Sequence, residues 1–455
     1  MTVPSPSNAA VNPLLEAPIL RTLVRFAAPN MLAMLATALA AIAETAYVGS
    51  FGVGSLAGMA LVFPMVMLQG MLSAGAMGGG VSSAISRALG AGQGARANAL
   101  AVHASWIGLA AGTFCMLAML VWGPAIFALL GGQGEALAQA VAFSNMAFCG
   151  SIGVWLLNTF ASIVRGSGNM AIPSATLLTV SIMQVLLAGA FGLGWGPFPR
   201  LGMAGVAMGQ VIAYSIGAIF LGWFVYRGGA AVKLPLLTTP LQGTLLRDIL
   251  RVGALACISP LQTVLCILIL TRLVALFGST ALAGYGIGTR LEFLLVPITF
   301  AFGVASAPMV GMAIGAGRIA RARRVAWTAA ALAGCGLGVL GLALALAPGV
   351  WTGLFTRDPQ VLASAALYFR WAGPCYGLFG MGLCLYFSSM GAGKVGWPVL
   401  AGTLRLVLVA AGGWLLAQNQ VEPWSIFALV ALAMAAYGIA TALGVWFSNW
   451  GVERA

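Results

Sequence analysis

The sequence predicts an all-α membrane protein with twelve transmembrane helices, arranged as two pseudo-symmetric six-helix lobes in a parallel repeat. Three observations predict this class. Of the 455 residues, 61% are hydrophobic and only 6% are charged, whereas a soluble domain carries roughly 25% charged residues. The apolar runs are long enough to cross a bilayer, which takes about 20 residues. Short motifs also recur after about half the chain length.

The repeat is visible in three pairs of motifs that keep one order and one spacing. LGAGQGARA returns as IGAGRIARA, and GSGNMAIP returns as GAGKVGWP, each after 225 residues. A third pair, FG followed by LAG, returns after 226 residues. The pairs are residues 89–97 and 314–322, 166–173 and 391–398, and 51–58 and 277–284. A repeated order at one period indicates a tandem duplication.

Apolar runs separated by Gly, Pro or charged residues give six segments in each half. In the first half they are 22–49, 55–87, 97–122, 136–164, 171–194 and 203–226. In the second half they are 247–277, 281–313, 323–347, 359–389, 395–417 and 424–447. Prolines inside these runs are expected to produce kinks. They are Pro29, Pro64, Pro260, Pro297, Pro308 and Pro374.

The basic residues predict the orientation. Fifteen of the 21 Lys and Arg residues fall on one side of this map, and only Arg200 and Arg357 fall in the opposite loops. Positive residues mark the cytosolic side, so both termini are expected in the cytosol of a bacterial inner (plasma) membrane protein. The net charge of +13 then reflects topology, and no nucleic acid partner is expected. The predicted divisions are a cytosolic tail (1–18), a first lobe (19–226), a cytosolic linker (227–246) and a second lobe (247–455).

Five stretches resemble the multidrug and toxic compound extrusion (MATE) family across essentially the whole chain. They are AETAYVGSFG at 43–52, SRALGAGQGARA at 86–97, RGSGNMAIP at 165–173, MVGMAIGAGRIARA at 309–322 and SSMGAGKVGWP at 388–398. The resemblance implies two six-helix lobes forming a V. It also implies export of bulky, often cationic organic compounds in exchange for H⁺ or Na⁺.

The chain departs from the family pattern at the acidic positions. The family's usual Asp in the first helix is Glu44 here, and the Asn and Asp expected in the fifth helix are matched only by Gln184 and Ala188. The seventh and tenth helices carry no acid, and the seventh has Gln262. These features place the chain nearer the DinF-like, proton-coupled branch and favour H⁺ over Na⁺.

Glu44 is the residue that we expect to carry the proton. It lies about 28 Å beyond Arg25 along a helix, toward the outer leaflet, and a carboxyl group out of water favours its neutral form. The alternative is a Glu that reaches the outer surface or has only a structural hydrogen bond. Other polar groups are candidates for lining a substrate cavity. In the first half and the seventh helix these are Thr37, Tyr47, Ser181, Gln184, Gln210, Tyr214 and Gln262. Ser181 and Gln184 are expected either to form hydrogen bonds with Glu44 or with substrate, or only to pack against neighbouring helices.

Ionisable residues inside a membrane are costly and usually functional, and the second half contains several. Arg272 is near the outer end, whereas Arg290, Arg370 and Arg405 are expected near the midplane. Glu292 is expected to bridge to Arg370 or Arg405. These residues form either a network that stabilises the lobe or a basic face that binds anionic or zwitterionic cargo.

The sequence therefore indicates a secondary exporter that works by alternating access and is not an enzyme. One histidine and two intramembrane acids do not provide a catalytic or metal centre, and GxxxxGK[ST] is missing, so no metal, cofactor or ATP site is expected. The expected partners are small organic substrates, H⁺ (alternatively Na⁺) and the lipid bilayer, with a monomeric chain. A flippase for a lipid-linked precursor is the alternative function.

Overall fold

The computed structural model describes residues 13–235, 239–418 and 422–451. Residues 1–12 of the predicted tail, 236–238 of the predicted linker and the last four residues lie outside these ranges. Helices dominate the part that is described, and the predicted fold class is confirmed.

The spanning helices follow the predicted segments. In the first half they are α1 (Ile19–Gly49), α2 (Val53–Gly90), α3 (Gly94–Leu129), α4 (Gly134–Cys149 with Ser151–Gly166), α5 (Ala171–Gly194) and α6 (Gly202–Tyr226). In the second half they are α7 (Gly243–Ala275), α8 (Ser279–Gly315), α9 (Ile319–Leu346), α10 (Pro359–Ala372 with Tyr376–Gly391), α11 (Gly396–Gln418) and α12 (Pro423–Phe447).

Several boundaries differ from the prediction. The third segment does not end at residue 122, because α3 runs through Pro124 to Leu129. Helix α7 begins at Gly243, inside the predicted linker, with an amphipathic first half whose polar face carries charged residues. Helix α3 continues because a membrane helix tolerates an internal proline, whereas α7 extends because its polar residues can lie at the interface.

The long helices are not uniform rods. Helix α2 is π-helical over Met71–Met77, the two halves of α4 bend by 47°, and α10 is broken by a 3₁₀ turn at Gly373–Cys375. Pro374 lies in that turn. By contrast, α1 and α8 continue without a break through the prolines inside them, since neighbouring helices tolerate a proline in a membrane span.

Glycines with positive φ mark the same turns in both halves. Such a backbone conformation suits glycine because it has no Cβ. The matched pairs are Gly52 (113°) with Gly278 (91°), Gly92 (74°) with Gly317 (76°), and Gly168 (92°) with Gly393 (72°). The duplicated motifs therefore encode duplicated turns.

Helix packing repeats in the same way. Helix α1 packs on α5 as α7 packs on α11, and α5 packs on α6 as α11 packs on α12. Helix α4 contacts α3 and α6, and α10 correspondingly contacts α9 and α12. The lobes meet through α2 and α8, with α1 against α8 and α7 against α2. This exchange of equivalent contacts is what a two-fold parallel repeat predicts.

The two lobes touch backbone to backbone where the duplicated loops begin. We call this the glycine-loop end, after residues 89–97 and 314–322. A Cβ on Gly90 would lie 2.2 Å from the carbonyl oxygen of Met312, and one on Gly315 would lie 2.1 Å from a backbone oxygen of α2. Small residues allow two helix backbones to touch in this way. We call these backbone contacts between α2 and α8 the glycine seam.

Candidate functional site

The first lobe places a carboxyl group against a carboxamide in its interior. Glu44 lies in the last two turns of α1, and Gln184 lies on α5, which packs along α1. Gln184 Nε2 donates a hydrogen bond to Glu44 Oε1 at 2.7 Å. Both side chains are buried, with 4% and 5% of their surfaces exposed. Gln184 Oε1 has no hydrogen-bond partner in the part of the chain that is described. Glu44 is therefore paired with an uncharged group.

A second polar contact lies on the same two helices, nearer the glycine-loop end. The hydroxyl groups of Thr37 and Ser181 are 3.1 Å apart. Each hydroxyl is also within donating distance of a carbonyl one turn earlier in its own helix, 3.0 Å and 2.9 Å away. Because a hydroxyl has one proton, only one of the two can donate across the helix interface at a time.

The remaining first-lobe candidates lie on α1 and α6. Tyr47 makes an edge contact with Trp195 at a centroid distance of 5.6 Å. Gln210 and Tyr214 are half-buried on α6, and Tyr214 is near enough to interact electrostatically with Glu44. The structure thus gathers Glu44, Gln184 and Tyr214 into one region between α1, α5 and α6.

The repeat lacks this site in the second lobe. Leu270 and Val409 occupy the positions equivalent to Glu44 and Gln184, and both are buried in an apolar cluster. Packing of α7 on α11 needs no polar pair there, so the pair in the first lobe is not a requirement of the fold.

The expected ion pair of Glu292 with Arg370 or Arg405 is wrong for the described residues, since neither arginine is within salt-bridge distance. Glu292 instead accepts a hydrogen bond from the hydroxyl of Tyr368, which is fully buried. Arg405 is near enough for a longer-range electrostatic interaction. The tyrosine takes this place because α10 packs along α8.

Two of the arginines expected near the midplane are exposed and are not part of a buried network. Arg290 is exposed, with its guanidinium 5.4 Å from the ring centroid of Phe355 in the loop after α9. Arg370 is likewise exposed, as is Arg272 near the end of α7.

Arg405 remains inside the protein, together with Gln262. Both side chains line a cleft between the second lobe and α2. Gln262 is buried and its Nε2 donates to Thr403 Oγ1 at 2.8 Å. The guanidinium of Arg405 lies 5.1 Å from the ring centroid of Phe379.

Sequence reasoning missed the charged contacts that join the lobes at the glycine-loop end. Asp248 on α7 binds Arg87 on α2 at 3.2 Å and Arg96 at the start of α3 at 2.9 Å. The signal was an aspartate between Arg247 and Arg251, at the edge of an apolar segment. An aspartate at this position indicates that several positively charged side chains lie close together at the end of a helix.

A second group of contacts ties the loop between α8 and α9 to the segment before α1. The guanidinium of Arg318 donates to the Leu15 carbonyl at 2.9 Å and lies 3.7 Å from the carboxylate of Glu16. The guanidinium of Arg321 donates to the Ala17 carbonyl at 2.6 Å. These contacts join a second-lobe loop to the entry of the first lobe.

A duplicated bundle of membrane-spanning helices, with polar groups inside each half and a cleft between them, defines a multi-pass membrane transporter. The profile of the MatE family matches residues 29–190 and again 256–415. The chain therefore belongs to the MATE family of transporters, and the predicted family is confirmed. The two matched blocks are themselves the two copies of the repeat.

Individual relatives agree with this assignment. The chain is 23% identical over 373 residues to the FAD transporter of Shewanella oneidensis, covering 81% of each protein. It is 31% identical over 343 residues to a probable multidrug resistance protein NorM of Deinococcus radiodurans, covering 70% of this chain and 68% of the relative. A solved structure of a MOP superfamily transporter from Pyrococcus furiosus superimposes with a TM-score of 0.87 at 21% identity, covering 95% of this chain and 96% of that one.

Proposed function

We propose that this chain is a secondary exporter of organic compounds that exchanges its cargo for H⁺ by alternating access. The family assignment supports transport, and relatives described as multidrug resistance proteins support export of organic compounds. In this proposal residues 19–226 and 247–455 are the two bodies that move, and 227–246 is a cytosolic linker. The DinF-like branch remains part of the proposal.

The observation that supports proton coupling is the hydrogen-bonded pair of Glu44 and Gln184. In its ionised form Glu44 can only accept hydrogen bonds, so it satisfies the amide N–H but leaves Gln184 Oε1 without a donor. Protonated Glu44 has one O–H to donate. The acid and the amide can then exchange two hydrogen bonds, and the buried oxygen is satisfied. The resting geometry therefore favours proton uptake without any cationic partner.

The distribution of charge supports an orientation for this cycle. The glycine-loop end carries the excess of basic residues, which marks the cytosolic side of a bacterial inner membrane. The lobes are joined at that end by Asp248 and by the contacts of Arg318. In the proposal, the structure is then closed toward the cytosol, and proton uptake by Glu44 from outside accompanies cargo release.

The test is transport in proteoliposomes under an imposed pH gradient, with a fluorescent cargo. Glu44→Gln keeps size and one amide–amide hydrogen bond but fixes the group neutral, so it should fold, bind cargo and lose proton-driven export. Glu44→Asp should keep part of the activity. Glu292→Gln is the matched control, because it removes the other intramembrane carboxylate. Export at the wild-type rate by Glu44→Gln would show that the proton carrier lies elsewhere.

The coupling ion is tested in the same vesicles. A Na⁺ gradient at constant pH should drive no export, because a Na⁺ site favours several hard oxygen ligands and Glu44 supplies one carboxylate. Export driven by Na⁺ alone would exclude H⁺ as the only coupling ion.

A further inference from the structure

The cleft that contains Gln262 and Arg405, which we call the central cleft, lies at the junction of the lobes. Helix α2 contributes its π-helical segment, including Met71 and Gly75, and the second lobe contributes α7, α8, α10, α11 and α12. Gly75 lies opposite the ring of Phe300, since a Cβ there would be in ordinary van der Waals contact with the ring at 3.5 Å. Side chains from six helices thus converge on one cleft.

Gln262 presents a fixed hydrogen-bond acceptor to the central cleft. Its Nε2 donates to Thr403 Oγ1, and the Thr403 hydroxyl in turn donates to the Val399 carbonyl at 3.1 Å. This relay leaves Gln262 Oε1 buried and without a partner among the described residues. The space beside it is kept by Gly402, where a Cβ would lie 2.3 Å from Oε1. An acceptor held in this way suits a donor on a bound molecule.

Arg405 brings a positive charge to the same cleft. Its Nε is buried without a hydrogen-bond partner, and it forms no ion pair in the described ranges. The nearest acid in electrostatic terms is Glu292, whose carboxylate is bound to Tyr368. An unpaired cation inside a membrane protein is costly and indicates a partner that is not part of the fold.

Aromatic rings form part of the remaining wall. Phe300 and Phe387 meet edge to face with centroids 4.6 Å apart, and Phe379 lies under the Arg405 guanidinium. Flat rings pack well against such walls. We propose that the central cleft binds organic anions with a flat aromatic body, the anionic group on Arg405 and a hydroxyl or N–H donor on Gln262 Oε1. That these anions are cargo rests on the proposed export function, whereas their binding does not.

The test uses three probes on one ring system with purified protein. They are 6-hydroxynaphthalene-2-sulfonate, naphthalene-2-sulfonate and 6-hydroxynaphthalene-2-methylammonium, with binding followed by fluorescence titration. The hydroxysulfonate should bind most tightly, and the ammonium compound at least about tenfold more weakly, as loss of a charge-assisted hydrogen bond predicts. Octyl phosphate, an anion with an alkyl chain, should not displace the bound hydroxysulfonate. Displacement would assign the cleft to lipid phosphates instead.

Variants separate the two contacts. Arg405→Gln should weaken both sulfonates by about tenfold or more, and Arg405→Lys should restore most of the loss. Gln262→Leu should remove the advantage of the hydroxyl group while keeping the preference for the anion. Arg272→Gln is the matched control, since it removes an exposed arginine and should change nothing.

The outcomes distinguish the inference from the proposed function. Unchanged sulfonate binding in folded Arg405→Gln, or equal binding of the ammonium compound to wild type, would overturn the inference. Loss of proton-driven export in Glu44→Gln would still support the proposed function in that case. Conversely, the sulfonates could bind in a way that depends on Arg405 and yet not be transported under a pH gradient. That result would support the binding site but refute its use in export.

Discussion

Asp248 is the residue whose loss should most weaken the closed arrangement at the glycine-loop end. It joins α7 of the second lobe to Arg87 and Arg96 of the first. Asp248→Asn keeps the shape of the side chain and removes its charge. The interaction with Arg87, whose side chain is 19% exposed, is worth about 1.5–3 kcal/mol as a hydrogen bond between charged groups.

The interaction with Arg96 adds little, because that side chain is 48% exposed and exposed pairs contribute about 0–1 kcal/mol. Together the two contacts favour the closed arrangement by about 2–3 kcal/mol, a factor of roughly 30 to 150 in population. If the separated state is about 1% populated, as minor states often are, the substitution should raise its population to roughly 20–60%.

Spin labels at Ala95 and Lys394, exposed positions at that end on opposite lobes, report the separation by double electron–electron resonance. Asp248→Asn should shift a large fraction of the distance distribution to longer values. Asp358→Asn is the control, since Asp358 caps the first half of α10 at the opposite end and an amide can still cap. Exchange of charges in Arg87→Asp with Asp248→Arg should restore the closed distribution. An unchanged distribution in Asp248→Asn would refute the role given to this carboxylate.

Three further outcomes are expected. Single cysteines at Gln93 and Arg318 in a cysteine-free background should both resist an impermeant thiol reagent in intact cells, and labelling of only one would contradict the parallel repeat. Gln184→Leu should slow proton-driven export at least about tenfold by removing the amide that accompanies Glu44, whereas the same substitution at Gln210, which lies outside the pair, should have a smaller effect on the same assay. Gly90→Ala should reduce the closed population in the spin-label measurement, because its Cβ would meet the backbone of α8, and a wild-type distance distribution would show that the backbone shifts to accommodate it.

Much of the fold was predictable because membrane spans are defined by length and hydropathy. The duplicated glycine turns were equally accessible, since a positive φ restricts the choice of residue. The π-helical part of α2 and the 3₁₀ break in α10 were not predicted, apart from Pro374, because local irregularity depends on how neighbouring helices satisfy the backbone.

The candidate site was predictable only in part. Glu44 stands out in any reading because a carboxylate in an apolar run is rare, and its contact with Gln184 was one of the alternatives considered. The direction of a side chain around a helix that is apolar on every side is not visible in the sequence, which is why Glu292 was assigned to an arginine instead of Tyr368. Arg165 shows the same limit, since it is one of the fifteen basic residues on the predicted cytosolic side and yet only 5% of its surface is exposed.

The glycine seam has a kinetic consequence. At Gly90 and Gly315 backbone meets backbone, so the lobes can part at these two points without a side chain changing rotamer. The barrier to parting therefore comes from the side-chain contacts beside the seam. These are the partly exposed ion pairs of Asp248 and the buried hydrogen bonds that Ser83 on α2 donates to carbonyl oxygens of α10. We expect these contacts, and not the seam itself, to set how fast the lobes separate at this end.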